Sequence, residues 1–255
     1  MGESSSLLSV SGLSVNFGGI HALSNVTLNL REKEVVGLIG PNGAGKTTFF
    51  NALSGFVTPD SGELKLASAP HSWPAPDQLT SLGIARTLQG VGLFPDMTVL
   101  ENVMIGASRF STSGLIRAAL GLNGKDERAL RARALTALER VYASGIADRR
   151  VDTLPYPVTK RIAIARALVT EPKILLLDEP AGGLGAQDID WMNGLIRNLA
   201  HDCSVLLVEH HMDVVMTVCS RLYVLNFGEV IASGAAEDVR QDPAVVAAYL
   251  GVGHK

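Results

Sequence analysis

Cysteine is scarce in this chain. There are two, Cys203 and Cys219, which suggests neither a disulfide framework nor a zinc site and places both inertly in or beside the core. Positive charge is not in excess either. At a net charge of −3 there is no basic field for nucleic acid and no polybasic patch for a membrane surface. No apolar run approaches the roughly 18 residues that signal a membrane span. Met1 to Ser6 is polar, without a basic stretch leading into an apolar one, so no secretory signal is predicted. These absences predict a cytoplasmic chain. Apolar material, by contrast, is ample. With 255 residues, 47% hydrophobic and 18% charged, the chain can bury a full core, as one large domain or as a core with an inserted lobe.

The most informative stretch runs from Val35 to Phe50. A short apolar run, Val35-Val36-Gly37-Leu38-Ile39, leads into Gly40-Pro41-Asn42-Gly43-Ala44-Gly45-Lys46-Thr47-Thr48. Phe49, Phe50 and Leu53 then recur at the spacing of a buried helical face. This is G-x-x-x-x-G-K-[ST] in the context that gives it meaning, after a strand and opening a helix. Glycines let the backbone fold tightly around a polyphosphate and turn successive N–H groups inward. The helix N-terminus adds unsatisfied donors and a positive dipole end. Lys46 can then reach the β- and γ-phosphates, and the Thr47 hydroxyl can ligate Mg²⁺.

Elsewhere, periodicity separates strands from helices. Leu7–Phe17 and Ile20–Leu30 alternate about a Gly18-Gly19 turn and predict a hairpin; Phe17 at its tip is either a core plug or a ring for stacking on adenine. Lys46–Ser54 predicts a helix, Glu63–Ala67 and Gly83–Gln89 strands, and proline-rich Ala69–Pro76 a loop. Val99–Ala107 and Asp126–Ala143 predict helices. The second carries an apolar stripe of Leu130, Leu135, Leu138 and Val141 against a solvated face of Arg128, Arg131, Arg133 and Arg140. Helices at 159–169, 186–200, 212–219, 236–240 and 243–250 alternate with strands at 173–178, 204–208, 222–225 and 227–232. Such alternation implies a mainly parallel sheet with helices on both faces, and the stretch from Gly90 to about Pro157 a helical insertion.

Two buried strands end in chemistry. Ile174-Leu175-Leu176-Leu177 runs into Asp178-Glu179, and Ser204–Val208 into Glu209-His210-His211. Neighbouring side chains on a strand point to opposite faces, so Asp178 and Glu179 can diverge, one holding Mg²⁺ and the other polarising an attacking water. With His210 and the phosphate loop, these are the parts that phosphoryl transfer to water requires.

The order of these motifs resembles the nucleotide-binding subunit of an ABC transporter over essentially the whole length. The closer likeness is to the branched-chain amino-acid importer ATPases. It is carried by Phe17-Gly18-Gly19, Ala85-Arg86-Thr87-Leu88-Gln89, Met97-Thr98-Val99-Leu100-Glu101-Asn102-Val103 and the ending from Asp242-Pro243 to Ala248-Tyr249-Leu250-Gly251. The resemblance implies an α/β fold: a P-loop NTPase core with a mainly parallel sheet, an antiparallel β subdomain and an inserted helical lobe. One ATP-binding domain would cover residues 1–255, with 1–89 and 158–255 as core and 90–157 as lobe. It also implies roles. Phe17 is similar to the adenine-stacking aromatic, and Gln89 to the glutamine that senses Mg²⁺ and the attacking water and links to the membrane subunit. Asp178 looks like the magnesium-side acid, Glu179 the general base, and His210 the histidine on the γ-phosphate.

The implied cofactors are ATP and Mg²⁺. The implied partners are a second, distinct ATP-binding subunit in a head-to-tail dimer, polytopic membrane subunits and, indirectly, a periplasmic or extracellular solute-binding protein. No nucleic acid is implied. The chain would sit on the cytoplasmic face of the membrane and power uptake of a branched-chain amino acid or a related solute such as urea.

Three departures from the family pattern stand out. The signature, Leu-Ser-Gly-Gly-Gln or Leu-(Ser/Ala)-Tyr-Gly-Gln, reads Leu154-Pro155-Tyr156-Pro157-Val158. The segment after the catalytic acid reads Gly183-Leu184-Gly185-Ala186, and His211 stands where an aspartate is usual. Two readings of different class follow: a hydrolysing importer subunit, or a weakly hydrolysing regulatory or asymmetric partner. A soluble ABC protein of DNA repair or translation is a weaker third, since the long coiled-coil insertions or duplicated cassettes of those chains have no counterpart here.

Overall fold

The computed structural model describes residues 6–88, 90–107, 110 and 124–250. The chain divides into two compact units, Met1–Leu79 with Leu176–Lys255, and Thr80–Leu175.

The first unit begins with an antiparallel sheet. Strand β1 (Ser6–Phe17) pairs with β2 (Ile20–Arg31), and Phe17 faces Ile20 across the turn. Leu8 and Val10, then Leu13 and Val15, point inward; the alternation slips once because the register shifts between Val10 and Leu13. Strand β3 (Val35–Ile39), buried throughout, precedes helix α1 (Lys46–Leu53). Strand β4 (Ser61–Leu66) pairs with β1 and then with β5 (Ala69–His71), giving the order β2-β1-β4-β5. The expectation of a loop over Ala69–Pro76 is thus corrected for its first three residues. Ala67 and Ser68 both take positive φ, 47° and 65°, and make a tight hairpin turn. Pro70 is tolerated because β5 is an edge strand.

Among the described residues, the second unit holds β6 (Ile84–Arg86) and the α-helices α2 (Val99–Gly106), α3 (Gly124–Arg140) and α4 (Tyr156–Leu168). Helix α2 starts at a capping box: Thr98 Oγ1 accepts from Glu101 N, and Thr98 N donates to Glu101 Oε2. The Thr98 N–H, and then the Thr98 hydroxyl, donate to the Glu101 carboxylate and hold it below its ordinary pKa. On α3 only part of the expected stripe is fully covered. Leu138 and the adjoining Val141 are buried, whereas Leu130 and Leu135 are half-buried. On the arginine face, Arg133 pairs with Glu171 and Arg131 lies near Asp148.

The boundary between units runs through β7 (Ile174–Asp178), whose first residues lie with β6. The chain then returns to the first unit through α5 (Ala186–Leu199), β8 (Ser204–Val208), α6 (Met212–Val218), β9 (Arg221–Asn226), β10 (Glu229–Ala235), α7 (Ala236–Gln241) and α8 (Pro243–Leu250). The larger sheet is ordered β10-β9-β3-β8-β7-β6. Strand β3 runs parallel to both β8 and β9, and β10 is antiparallel to β9, so the sheet is mixed, with a parallel centre. Strands β3, β7 and β8 are buried along their whole lengths, which is why each reads as a continuous apolar run.

A polar junction ties strands β2 and β9 to the start of β3. Arg221 Nε and Nη2 bond Glu34 in bidentate fashion at 3.0 and 2.8 Å, and Arg221 also donates to the Asn29 carbonyl and the Tyr223 hydroxyl. Both cysteines are free and buried; burial, then the charge of Glu209, pushes the Cys219 thiol pKa up and keeps it unreactive.

Candidate functional site

The phosphate loop joins β3 to α1. Its shape depends on close backbone approach. Gly45, the N-cap of α1, has φ 106°, and a Cβ there would lie 2.6 Å from the Ala22 carbonyl oxygen. Gly228, in the β9–β10 turn at φ 82°, is equally crowded, with a Cβ meeting the same oxygen at 2.8 Å. Gly228 N donates to Ala44 O, and Ser24 N to Gly228 O, so strand β2 and a distant turn brace the loop. Lys46 is buried, its Nζ donating to the Gly40 and Pro41 carbonyls at 2.7 and 2.9 Å. Burial lowers its pKa from the ordinary value, and the charges of Glu179 and Asp178 work the other way. Asn42 and Thr47 are exposed along the rim, and Thr48 is half-buried. Phe17 is 49% exposed, which excludes the core-plug reading.

At the end of β7, Asp178 is buried, whereas Glu179 is open to solvent by a third of its side chain. Glu179 takes φ 48°, a left-handed conformation that a non-glycine residue adopts only when its surroundings over-determine it. Its N–H donates to Val208 O, and its carbonyl accepts from Gly182 N. The Glu179 Oε1 to His210 Nδ1 distance is 3.6 Å.

Glu209 was visible in the sequence only as an acid at a strand end, without a role. It is fully buried. One oxygen accepts from Ala181 N at 2.7 Å, and the other from His210 N and His211 N at 2.9 and 3.2 Å and lies 3.0 Å from His211 Nδ1. The signal that could have found it is a charged residue placed directly after a wholly apolar strand, where no solvent is at hand. His211, one of the departures, is thereby built in as the N-cap of α6 and a partner of Glu209. Gly185, in another departure, simply caps α5. The phosphate loop and the ends of β7 and β8 thus hold Lys46, Asp178, Glu179 and His210 at the carboxyl ends of the neighbouring strands β3, β8 and β7.

The second unit carries the remaining expectations. Gln89 lies outside the described residues. Past it, two side chains fasten the loop. Arg166 donates to the Gly92 and Val91 carbonyls, and Asn102, fully buried, bonds both the N–H and the carbonyl of Phe94. Neither was anticipated, because a side chain that serves a backbone carbonyl leaves no mark in residue spacing. Leu88, Phe94 and Met97 are left exposed.

The degenerate signature opens α4, which starts three residues earlier than expected because Pro157 sits in the first turn, where its missing N–H is harmless to the helix. Val158 N and Thr159 N both donate to Pro155 O, and Thr159 Oγ1 donates to Tyr156 O.

A family model described as ABC transporter matches residues 23–182, and one described as branched-chain amino acid ATP-binding cassette transporter matches residues 229–255. The chain is 42% identical to the high-affinity branched-chain amino acid transport ATP-binding protein LivG of Salmonella typhimurium, over 96% of this chain and 98% of that one. It is 39% identical to the corresponding protein BraF of Pseudomonas aeruginosa, again over 96% and 98%. Among solved structures it resembles the ADP conformation of an ATP-binding cassette of an ABC transporter, with a TM-score of 0.84, 30% identity and coverage of 96% and 99%.

Proposed function

The chain belongs to the ABC transporter ATP-binding family, and from that premise we propose that it is the ATP-hydrolysing subunit of an importer for branched-chain amino acids or a closely related solute. The observation that carries this reading is the meeting of Lys46, Asp178, Glu179 and His210 at the carboxyl ends of β3, β7 and β8.

The mechanism follows from those residues. The phosphate loop, from Gly40 through Pro41, Asn42, Gly43, Ala44 and Gly45 to Thr48, offers inward N–H groups and the α1 N-terminus to the polyphosphate. Lys46 answers the negative charge that develops on the transferring phosphoryl group. Phe17 stacks on the adenine. Glu179 takes the proton of the attacking water, and His210 donates to the γ-phosphate from the adjacent strand end. A hydroxyl and a carboxylate are hard oxygen donors suited to Mg²⁺, so the exposed Thr47 and the buried Asp178 would hold it. When bound, Mg²⁺ would neutralise negative charge on the polyphosphate.

Among the described residues no helix is long and apolar enough to cross a membrane. On the importer reading, the chain attaches through polytopic subunits on the cytoplasmic face, with a second ATP-binding subunit head to tail and a solute-binding protein acting indirectly. The fastened loop that presents Phe94, in the helical lobe we propose for residues 90–157, supplies the docking surface. Intact Lys46, Glu179 and His210 favour this reading over a weakly hydrolysing regulator. The test is to co-purify the chain with its membrane subunits and measure ATP hydrolysis. Hydrolysis lost on Lys46→Ala is the expected result; absence of any turnover in the assembled complex would refute the reading.

A further inference from the structure

We infer that Glu209 is a positioning residue, which sets the general base and the γ-phosphate histidine against each other by holding both of their loops on one buried carboxylate. This rests on the ATPase reading above. A carboxyl group is rarely buried completely without partners, because desolvation disfavours it unless donors surround it. Glu209 is 0% exposed, and its donors come from two places. Oε1 takes the N–H of Ala181, in the turn that begins at Glu179. Oε2 takes the N–H groups of His210 and His211 and faces the His211 ring.

The bridge matters because of what it connects. Glu179 sits in a strained conformation at φ 48°, held by its own N–H on Val208 O and by Gly182 N on its carbonyl. Ala181 lies inside that short turn, so Glu209 grips the turn from the neighbouring strand end. The same carboxylate fixes the backbone of His210, whose ring lies 3.6 Å from the Glu179 carboxylate. Glu209, His210 and His211 have their ligand atoms within 4.8 Å of one another, a spacing that would suit a cation. The carboxylate oxygens are already taken up by these protein donors, which is the behaviour of a brace.

An amide cannot do the same work. Its single carbonyl oxygen can serve one loop, and its NH₂ would face N–H groups on the other. Glu209→Gln in the full-length chain should lower turnover at saturating ATP at least tenfold, while affinity for a fluorescent ATP analogue stays within twofold. A purely structural role would instead lower affinity, turnover and melting temperature together. The decisive measurement is a double-mutant cycle with His210→Ala. If Glu209 acts through His210, Glu209→Gln should cost less than threefold in that background. Equal losses in both backgrounds, or turnover of Glu209→Gln within twofold of the parent, would overturn the inference. Should Glu209→Gln fail to fold, His211→Ala removes only the ring contact and should lower turnover two- to fivefold at unchanged KM for ATP; no change would overturn it too. A parent chain that never hydrolyses ATP, assembled or alone, sinks the ATPase reading instead, so the two failures are distinct.

Discussion

Glu179 and His210 face each other across the ends of neighbouring strands, with Oε1 and Nδ1 3.6 Å apart. Both side chains are substantially open to solvent, at 33% and 47%. A contact so exposed contributes little to holding the fold together. The arrangement makes sense as chemistry: a carboxylate and an imidazole presented to the same incoming group, each on a backbone fixed from below.

The first prediction concerns the base. Glu179→Gln keeps the size and the backbone conformation but removes the proton acceptor. ATP binding should persist, and turnover should fall about 100-fold or more, the scale of losing a positioned base. Turnover within about twofold of the parent would remove Glu179 from that role.

Phe17 stands half-exposed at the tip of the β1–β2 hairpin, where no core surrounds it. Phe17→Ala should weaken ATP affinity by about 1 kcal/mol, the scale of aromatic stacking, and leave melting temperature nearly unchanged. Titration with a fluorescent ATP analogue measures the first; unchanged affinity would mean that the ring stacks on nothing.

Phe94 is also half-exposed, on a loop that Asn102 and Arg166 fasten by its backbone. A rigid loop displaying an aromatic ring suits docking. Phe94→Asp should abolish co-purification with the membrane subunits while ATP binding by the isolated chain is retained. Continued co-purification would assign the ring to packing within its own unit.

The signature segment makes the fourth prediction. A family signature offers a serine hydroxyl and glycine N–H groups to the partner's nucleotide. Here Pro157 has no N–H, and the N–H groups of Val158 and Thr159 are both spent on Pro155 O. A donor to developing phosphate charge can be worth about 3 kcal/mol, so the composite site served by this segment should be the slow one. Changing Pro155-Tyr156-Pro157-Val158 to Ser-Gly-Gly-Gln should raise turnover of the purified chain at least tenfold. A chain that is already fast, and gains nothing from the change, would show that the contact is made by other means.

Much of this was legible in the sequence, for a physical reason. The strands that lead to Lys46, Asp178 and His210 are buried throughout, so each is a short, mainly apolar run, and chemistry begins where the run stops. Elements bounded by such contrasts were placed within a residue or two. The first residues of β5 were not, because Pro70 reads as a breaker and its tolerance depends on lying at a sheet edge. The start of α4 was misplaced because proline inside a helix and proline in its first turn look alike until the turn is located. Glu209, Asn102 and Arg166 were missed together. Their partners are mainly backbone groups brought near by folding, and backbone is the same in every sequence.

Gly228 changes what the phosphate-binding motif is. Written as consecutive letters, the motif ends at Thr48. As a solid object it includes the Ala22 carbonyl, against which Gly45 and Gly228 are both pressed, and the Gly228 N–H that ties back to Ala44. A map of substitution tolerance along the chain would therefore show a deep, isolated minimum at position 228, far from the glycines of the loop yet of the same depth. The inheritance of nucleotide binding in this chain is constrained at a place where no pattern search would look for it.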